Sequence, residues 1–336
     1  MFRPLFLLLL ALGALATAPA GAQPVELRFA SPAPPQSPIN SRGIAEWVKD
    51  VTAASGNTIS IRVMAGPALA SFENVYDRVL KGVADIGFGT GSTVAGQFRR
   101  SEVATLPFES EGPIEVAVTL WRATERGLVA EDYAAIKPLA LFSFPPSLLH
   151  TRSKPIKILT DLKGMKIGGA GRMNGDIAAS LGAAPITLAP PEVYQSLSSG
   201  LIDGVMIAWT AVDSFKLHEV TKHHFNVPLS SSTAYIIINK RSYERLPPQA
   251  RAAIDKYSGE TFSRRMGNVV ETLDNVAKYQ VRNLAGHSFE EASPEERARW
   301  RKQLDTISAA WVKATPNGAA ILAGYREEVK KFRSGR

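Results

Sequence analysis

The sequence predicts an α/β protein of two lobes with a cleft between them. Three observations carry this: a β-α-β-α-β order in the first third, its recurrence after residue 164, and a local pattern that both units share. Val25, Leu27 and Phe29 alternate with polar neighbours, which is strand periodicity. A Pro-rich loop over Ser31 to Pro38 follows. Ile39, Ile44, Val48 and Val51 then fall at helical spacing up to Gly56. Ile59, Ile61 and Val63 alternate again, Phe72 to Leu80 reads as a second helix, and Ala84 to Phe88 is a short apolar strand. Such an order predicts parallel strands with right-handed crossovers.

In the second unit, Met165 to Ile167, Ile186 to Leu188 and Ile202 to Ile207 are strand candidates. Helices are expected at Gly175 to Leu181 and from Pro190 through Leu201. Gly82-Val83-Ala84-Asp85-Ile86-Gly87 matches Gly200-Leu201-Ile202-Asp203-Gly204-Val205: a helix stops at Gly, a turn carries Asp, and a strand begins. Between the units lie a helix around Ile114 to Gly127 and two extended segments, Leu139 to Phe144 and Leu148 to Thr151. Tyr235 to Ile238 is a further strand, and these are the candidate crossing strands. Beyond Pro247-Pro248 the chain reads as helical. Arg251 to Asn283 is one long or kinked helix with Gly259 and Gly267 as weak points. Pro294 to Ala314, capped by Ser293, and Pro316 to Phe332 read as amphipathic surface helices.

Residues 1–22 carry Arg3, an apolar run from Phe6 to Leu15 and the small-x-small Ala20-Gly21-Ala22, the pattern of a cleaved signal peptide. The run is shorter than the roughly 20 residues of a membrane span. The 336-residue chain has no Cys, which excludes disulfides and thiolate metal sites. The formal charge of +8 is not gathered in one run, so it reads as a solvated surface with a mild bias toward anions, and nucleic acid is not an expected partner. The domain expectation is 23–144 plus about 230–265 for lobe I. Residues 145–229 plus about 266–336 form lobe II with the C-terminal helices.

Ligands in open α/β sheets sit at the carboxyl ends of strands, and clefts between lobes hold small molecules. That singles out the segments after Phe88 and after Ile207. Thr90, Gly91 and Ser92 follow the first strand end, where backbone N–H groups can cradle an anion; the alternative is a tight turn. Gly168 to Gly175 is a Gly-rich loop holding Arg172 and Asn174. Arg172 there can form two parallel bonds to a carboxylate, the alternative being an exposed surface Arg. Trp209, with Thr210 and Asp213 beside it, can wall a pocket; the alternative is a core Trp. Phe88, Phe108 and Phe144 are each more often core, with one or two expected to face the cleft. His218, His223 and His224 lack metal-ligand spacing and read as surface. No nucleophile elbow or catalytic pairing is present, so neither catalysis, metal nor cofactor is expected. An exported hydrolase is the rival class.

Several motifs resemble those of the DctP-type binding proteins of TRAP transporters. These are Asp161-Leu162-Lys163-Gly164-Met165-Lys166-Ile167, Leu181-Gly182-Ala183-Ala184-Pro185, Pro191-Glu192-Val193-Tyr194-Gln195-Ser196-Leu197, Gly200 to Gly204, Leu106-Pro107-Phe108, and Asn239-Lys240 with Leu246-Pro247. The resemblance covers nearly the whole chain after residue 22. It implies the two-lobed periplasmic binding protein fold (type II-like), a long helix spanning both lobes, and closure around a small organic acid. The ligand would be delivered to membrane subunits by a periplasmic, monomeric protein; a sensor that docks on a receptor is the related alternative. The family usually places Arg directly after Lys-Ile to grip the carboxylate. Gly168 stands there, and Arg172, four residues on, is the expected replacement.

Overall fold

The computed structural model describes residues 23–94, 96–188 and 190–336; the expected signal peptide lies outside the described residues. The first unit runs β1 (Val25–Ser31), α1 (Ala45–Ala54), β2 (Ile59–Ala65), α2 (Val75–Leu80), β3 (Ile86–Thr90), α3 (Pro113–Glu125) and β4 (Lys137–Ser143). The second runs β5 (Ser147–Thr151), β6 (Lys166–Gly169), α4 (Gly171–Ser180), β7 (Ala184–Thr187), α5 (Pro190–Ser199), β8 (Gly204–Ile207), α6 (Trp209–Ser214) and β9 (His223–Ser230). The chain then returns to the first lobe in β10 (Thr233–Ile238). It ends with α7 (Lys240–Glu244), α8 (Pro248–Tyr257), α9 (Glu260–Arg282), β11 (Ser288–Glu290), α10 (Pro294–Ala314) and α11 (Gly318–Arg333).

Two sheets result, in the orders β2-β1-β3-β10-β4 and β11-β9-β5-β8-β6-β7. β1 pairs in parallel with β2 and β3, and β6 does the same with β7 and β8. The chain passes between the sheets through two short segments, at 144–146 and 231–232, and a third time through α7 to α9, which lead from β10 to β11. The two short passages are joined where the Phe144 N–H donates to the Ser232 carbonyl at 2.8 Å. Leu27 and Phe29 alternate into the first core, where Trp47 stacks on Phe262 of α9 with centroids 5.0 Å apart.

The shared Gly-x-x-Asp pattern has a structural cause. Asp85 accepts the Arg28 N–H at 2.9 Å and returns its own N–H to the Arg28 carbonyl at 2.9 Å. Asp203 does the same to Lys166, at 2.8 Å in each direction. In both lobes one carboxylate ties the helix-to-strand turn to an adjacent strand.

Some boundaries differ from the sequence reading. The 39–54 helix opens as a π-helix over Ile39–Ile44, where Gly43 passes so close to Met266 that a Cβ would lie 2.5 Å from its sulfur. The 251–283 stretch is two helices, parted at Ser258 and Gly259. Gly259 has φ 78° and donates to the Leu139 carbonyl at 2.8 Å. Gly267 does not break α9; it lets α9 cross α3, since a Cβ there would lie 2.8 Å from the Pro113 carbonyl. Ser293 caps α10 by accepting the Glu296 N–H. The C-terminal helices, expected with the second lobe, bridge both: α10 packs on α4, and α11 packs on α3. Among the described residues no helix is long and apolar enough to cross a membrane.

Candidate functional site

A cleft of about 970 Å³ lies between the sheets at the carboxyl ends of β3, β6 and β8. Gly91, Ser92, Phe98, Arg99 and Glu102 line it from the first lobe; Gly169 to Asn174, Ile207, Ala208 and Thr210 line it from the second. Phe144, Ser147 and Ser230 to Thr233 contribute from the passages, and Ile307, Ala310 and Trp311 from α10. Hydroxyls and amides share this surface with apolar side chains. Ser92 Oγ lies 3.0 Å from Ser232 Oγ, and Ser230 Oγ donates to Asn174 Oδ1 at 2.5 Å.

Arg172 stands in the first turn of α4, which begins at Gly171, four residues before the expected helix start. Gly171, with φ 75°, turns the chain out of β6 and lets the helix begin there. No side chain caps this N-terminus, so its first N–H groups lack a side-chain acceptor. The Arg172 side chain is 80% exposed and pairs with Asp176 at 2.9 Å. Across the cleft, burial raises the Glu102 carboxyl pKa, while Arg172 and Arg99 oppose the rise. Position 168 is closed: a Cβ there would lie 2.8 Å from Ile202 Cδ1 and 3.2 Å from Leu188 Cδ1. A side chain at 168 would push on the ends of both, and the cation that lines the cleft from this lobe stands on α4.

Of the residues singled out in the sequence, Gly91, Ser92, Phe144, Arg172, Asn174 and Thr210 line the cleft. Thr90 lies just before it, its hydroxyl donating to Thr93 Oγ1 at 3.2 Å. Phe88, expected as one aromatic that could face the ligand, is core between Phe72 and Phe142, because the β3 pleat points it away. Phe108 is buried at φ 62° beneath the guanidiniums of Arg297 and Arg301, outside the cleft. Trp209 is 1% exposed and packs on His150, His224 and Phe289. As the first residue of α6 it faces a separate cavity of about 530 Å³ behind the passages, not the cleft. Asp213, a turn further along α6, is exposed and does not line the cleft.

Of the three histidines read as surface, His224 departs from expectation. His224 is 1% exposed, because the β5–β9 register sets it opposite His150 on the inner face. His224 Nε2 lies 2.9 Å from His287 Nδ1, with the rings stacked. Burial holds the His150 pKa at about 4 and that of His224 at about 2. Phe98, Arg99, Glu102, Met173, Ser230 to Ser232 and Trp311 were not singled out. A run of hydroxyls between two apolar strands, Ser230-Ser231-Ser232-Thr233, was the available signal.

A two-lobed frame closing on a cleft of hydroxyls, apolar side chains and exposed cations defines a solute-binding protein. Residues 29–314 match the model of the bacterial extracellular solute-binding protein family 7, DctP, and the chain belongs to that family. Three solved structures illustrate the likeness. A marine metagenome TRAP solute-binding protein specific for aromatic acid ligands, in complex with 3-hydroxybenzoate, is 27% identical with a TM-score of 0.82, over 92% of this chain and 99% of that one. A TRAP solute-binding protein from Rhodoferax ferrireducens with copurified benzoate is 28% identical with a TM-score of 0.81, over 93% and 99%. One from Bordetella bronchiseptica with bound (R)- and (S)-mandelate is 28% identical with a TM-score of 0.79, over 92% and 100%.

Proposed function

We propose that this protein captures an aromatic or aryl-substituted monocarboxylate in the cleft and delivers it, as a monomer, to the membrane subunits of a TRAP transporter. Export removes residues 1–22. Lobe I comprises 23–144 with about 230–265, lobe II 145–229, the helices of 266–336 bridge the two, and the passages at 144–146 and 231–232 form the hinge on which the lobes close. The role is binding without catalysis.

One observation carries the ligand class: Arg172 stands in the uncapped first turn of α4, facing the cleft. An exposed i,i+4 pair such as Arg172–Asp176 is worth only about 0.3–0.5 kcal/mol. A charge-assisted bond to a ligand carboxylate is worth about 1.5–3 kcal/mol. The ligand therefore displaces Asp176, and the helix N-terminus adds donors. Phe98, Phe144, Met173, Ile307 and Trp311 offer apolar surface for a ring. The three relatives with bound aryl acids support this class.

A thermal-shift panel of benzoate, 3-hydroxybenzoate, mandelate, succinate and glucose tests the reading. A ligand at about 100 times its Kd stabilises by about 2.7 kcal/mol, a readable shift. The aryl acids raise Tm most; stabilisation by glucose alone would overturn the reading.

A further inference from the structure

The cleft-lining turn between β8 and α6 is held from behind by two separate groups. The Ile207 carbonyl lies 3.2 Å from His150 Nε2. The Thr210 N–H donates to Asp274 Oδ1 at 3.0 Å, and the Trp209 N–H also bonds this carboxylate. His150 belongs to β5 and Asp274 to α9, which packs on α3 and β4 of the first lobe and on α6 of the second. The polar backbone of the turn is thus satisfied away from the ligand, while Ile207, Ala208 and Thr210 line the cleft.

We propose that His150 and Asp274 are positioning residues for ligand binding: they fix the turn 207–210 from behind, His150 through its carbonyl and Asp274 through its amides. This rests on the reading that the ligand occupies the cleft. The geometry gives each anchor a distinct failure. Without the His150 donor, the Ile207 carbonyl loses its side-chain partner at the end of β8, next to the turn. Without the Asp274 charge, one carbonyl oxygen still accepts but the other position becomes a donor, so the two amides at the start of α6 can no longer both be held by the same group. Either loss lets the turn adopt other arrangements, and the ligand must then order it on binding.

Asp274 also predicts a pH response. Burial raises its pKa to about 6, opposed by the Thr210 N–H and by Lys278. The charged groups that share its cavity are Glu271 and Lys278 on α9, Glu111 and Glu115 at the start of α3, Glu291 after β11, and Arg297 on α10. As pH falls through about 6, one carboxyl oxygen becomes a donor facing donors, and the hold on the turn weakens.

The test combines two measurements on the wild type, Asp274→Asn, His150→Phe and His150→Gln. Hydrogen exchange without ligand reads the Trp209 and Thr210 amides. Isothermal titration with 3-hydroxybenzoate, whose carboxylate stays ionised, reads Kd between about pH 5 and about pH 8. In the wild type both amides are protected and Kd weakens several-fold toward the acid end. Asp274→Asn, which keeps one acceptor oxygen and puts a donor in place of the other, lowers the protection of at least one of the two amides, binds on the order of tenfold more weakly at neutral pH, and shows a flat pH profile. His150→Phe weakens binding, and His150→Gln, which keeps a donor, restores part of it. Wild-type affinity and pH slope in Asp274→Asn would overturn the proposal, as would unprotected amides in the wild type. If the wild type does not bind the probe, the ligand class is wrong. The exchange data then decide alone: lowered protection of either amide in Asp274→Asn supports the anchor, and wild-type protection of both refutes it.

Discussion

His224 Nδ1 lies 2.8 Å from His150 Nδ1, and the two ends of their hydrogen-bonded chain fix every proton in it. The Ile207 carbonyl can only accept, so His150 donates through Nε2 and its Nδ1 accepts. His224 therefore donates through Nδ1 and accepts through Nε2 from His287 Nδ1–H. His287 Nε2 faces the Lys222 ammonium at 3.5 Å, which can only donate. All three imidazoles are neutral. Nitrogen-15 NMR should find His150 as the Nε2–H tautomer and His224 and His287 as Nδ1–H. A different tautomer at His224 would contradict this polarity.

The same burial makes stability pH-dependent. His150 and His224 titrate near 4 and near 2 when folded, against about 6.5 in the unfolded chain. Below about pH 6.5 the unfolded chain takes up protons that the native protein refuses. Stability is therefore complete above that pH and falls as pH drops toward 4, by up to about 1.4 kcal/mol per pH unit for each histidine. Urea denaturation of His224→Gln should show a shallower acid slope than the wild type, and an equal slope would refute the assignment.

Asp85 and Asp203 make the same backbone exchange, yet their variants should differ. Burial pushes the Asp85 carboxyl up, but the Arg28 amide, the Ser242 hydroxyl and the Arg28 guanidinium hold it below the usual range. Its contribution is present above the ordinary carboxylate pKa and is lost as pH falls through the folded value. Asp85→Asn should cost about 2 kcal/mol near neutral pH, and the exposed Asp203→Asn less than about 1 kcal/mol, by urea denaturation.

The sequence made the two α/β units legible because their strands alternate or run apolar and their helices end at Gly. The Gly-x-x-Asp pair was visible as a repeat, but only the paired strands show that Asp85 and Asp203 hold Arg28 and Lys166. The site was half legible. Arg172 and Ser92 follow strand ends, where chemistry can be placed from order alone. Phe88 and Trp209 follow the same logic and yet face away, because strand pleat and helix rotation decide direction. Arg99 and Trp311 come from segments with no strand-end signal. His224 looked like surface until the register set it against His150, a contact 74 residues apart.

Gly267 tests the crossing of α3 and α9. An Ala there improves helix propensity by about 1 kcal/mol, but its Cβ would meet the Pro113 carbonyl at 2.8 Å and Ala117 Cβ at 3.0 Å. Overpacking of this kind costs about 1–3 kcal/mol. Gly267→Ala should therefore lower Tm, and a raised Tm would show that the helices separate freely.

The central claim is that Arg172 grips a ligand carboxylate in the cleft. Isothermal titration of the wild type and Arg172→Ala with 3-hydroxybenzoate measures it directly. The variant should bind more weakly by about 1.5–3 kcal/mol, with its Tm without ligand close to the wild-type value. Equal affinities in the two proteins would contradict the claim.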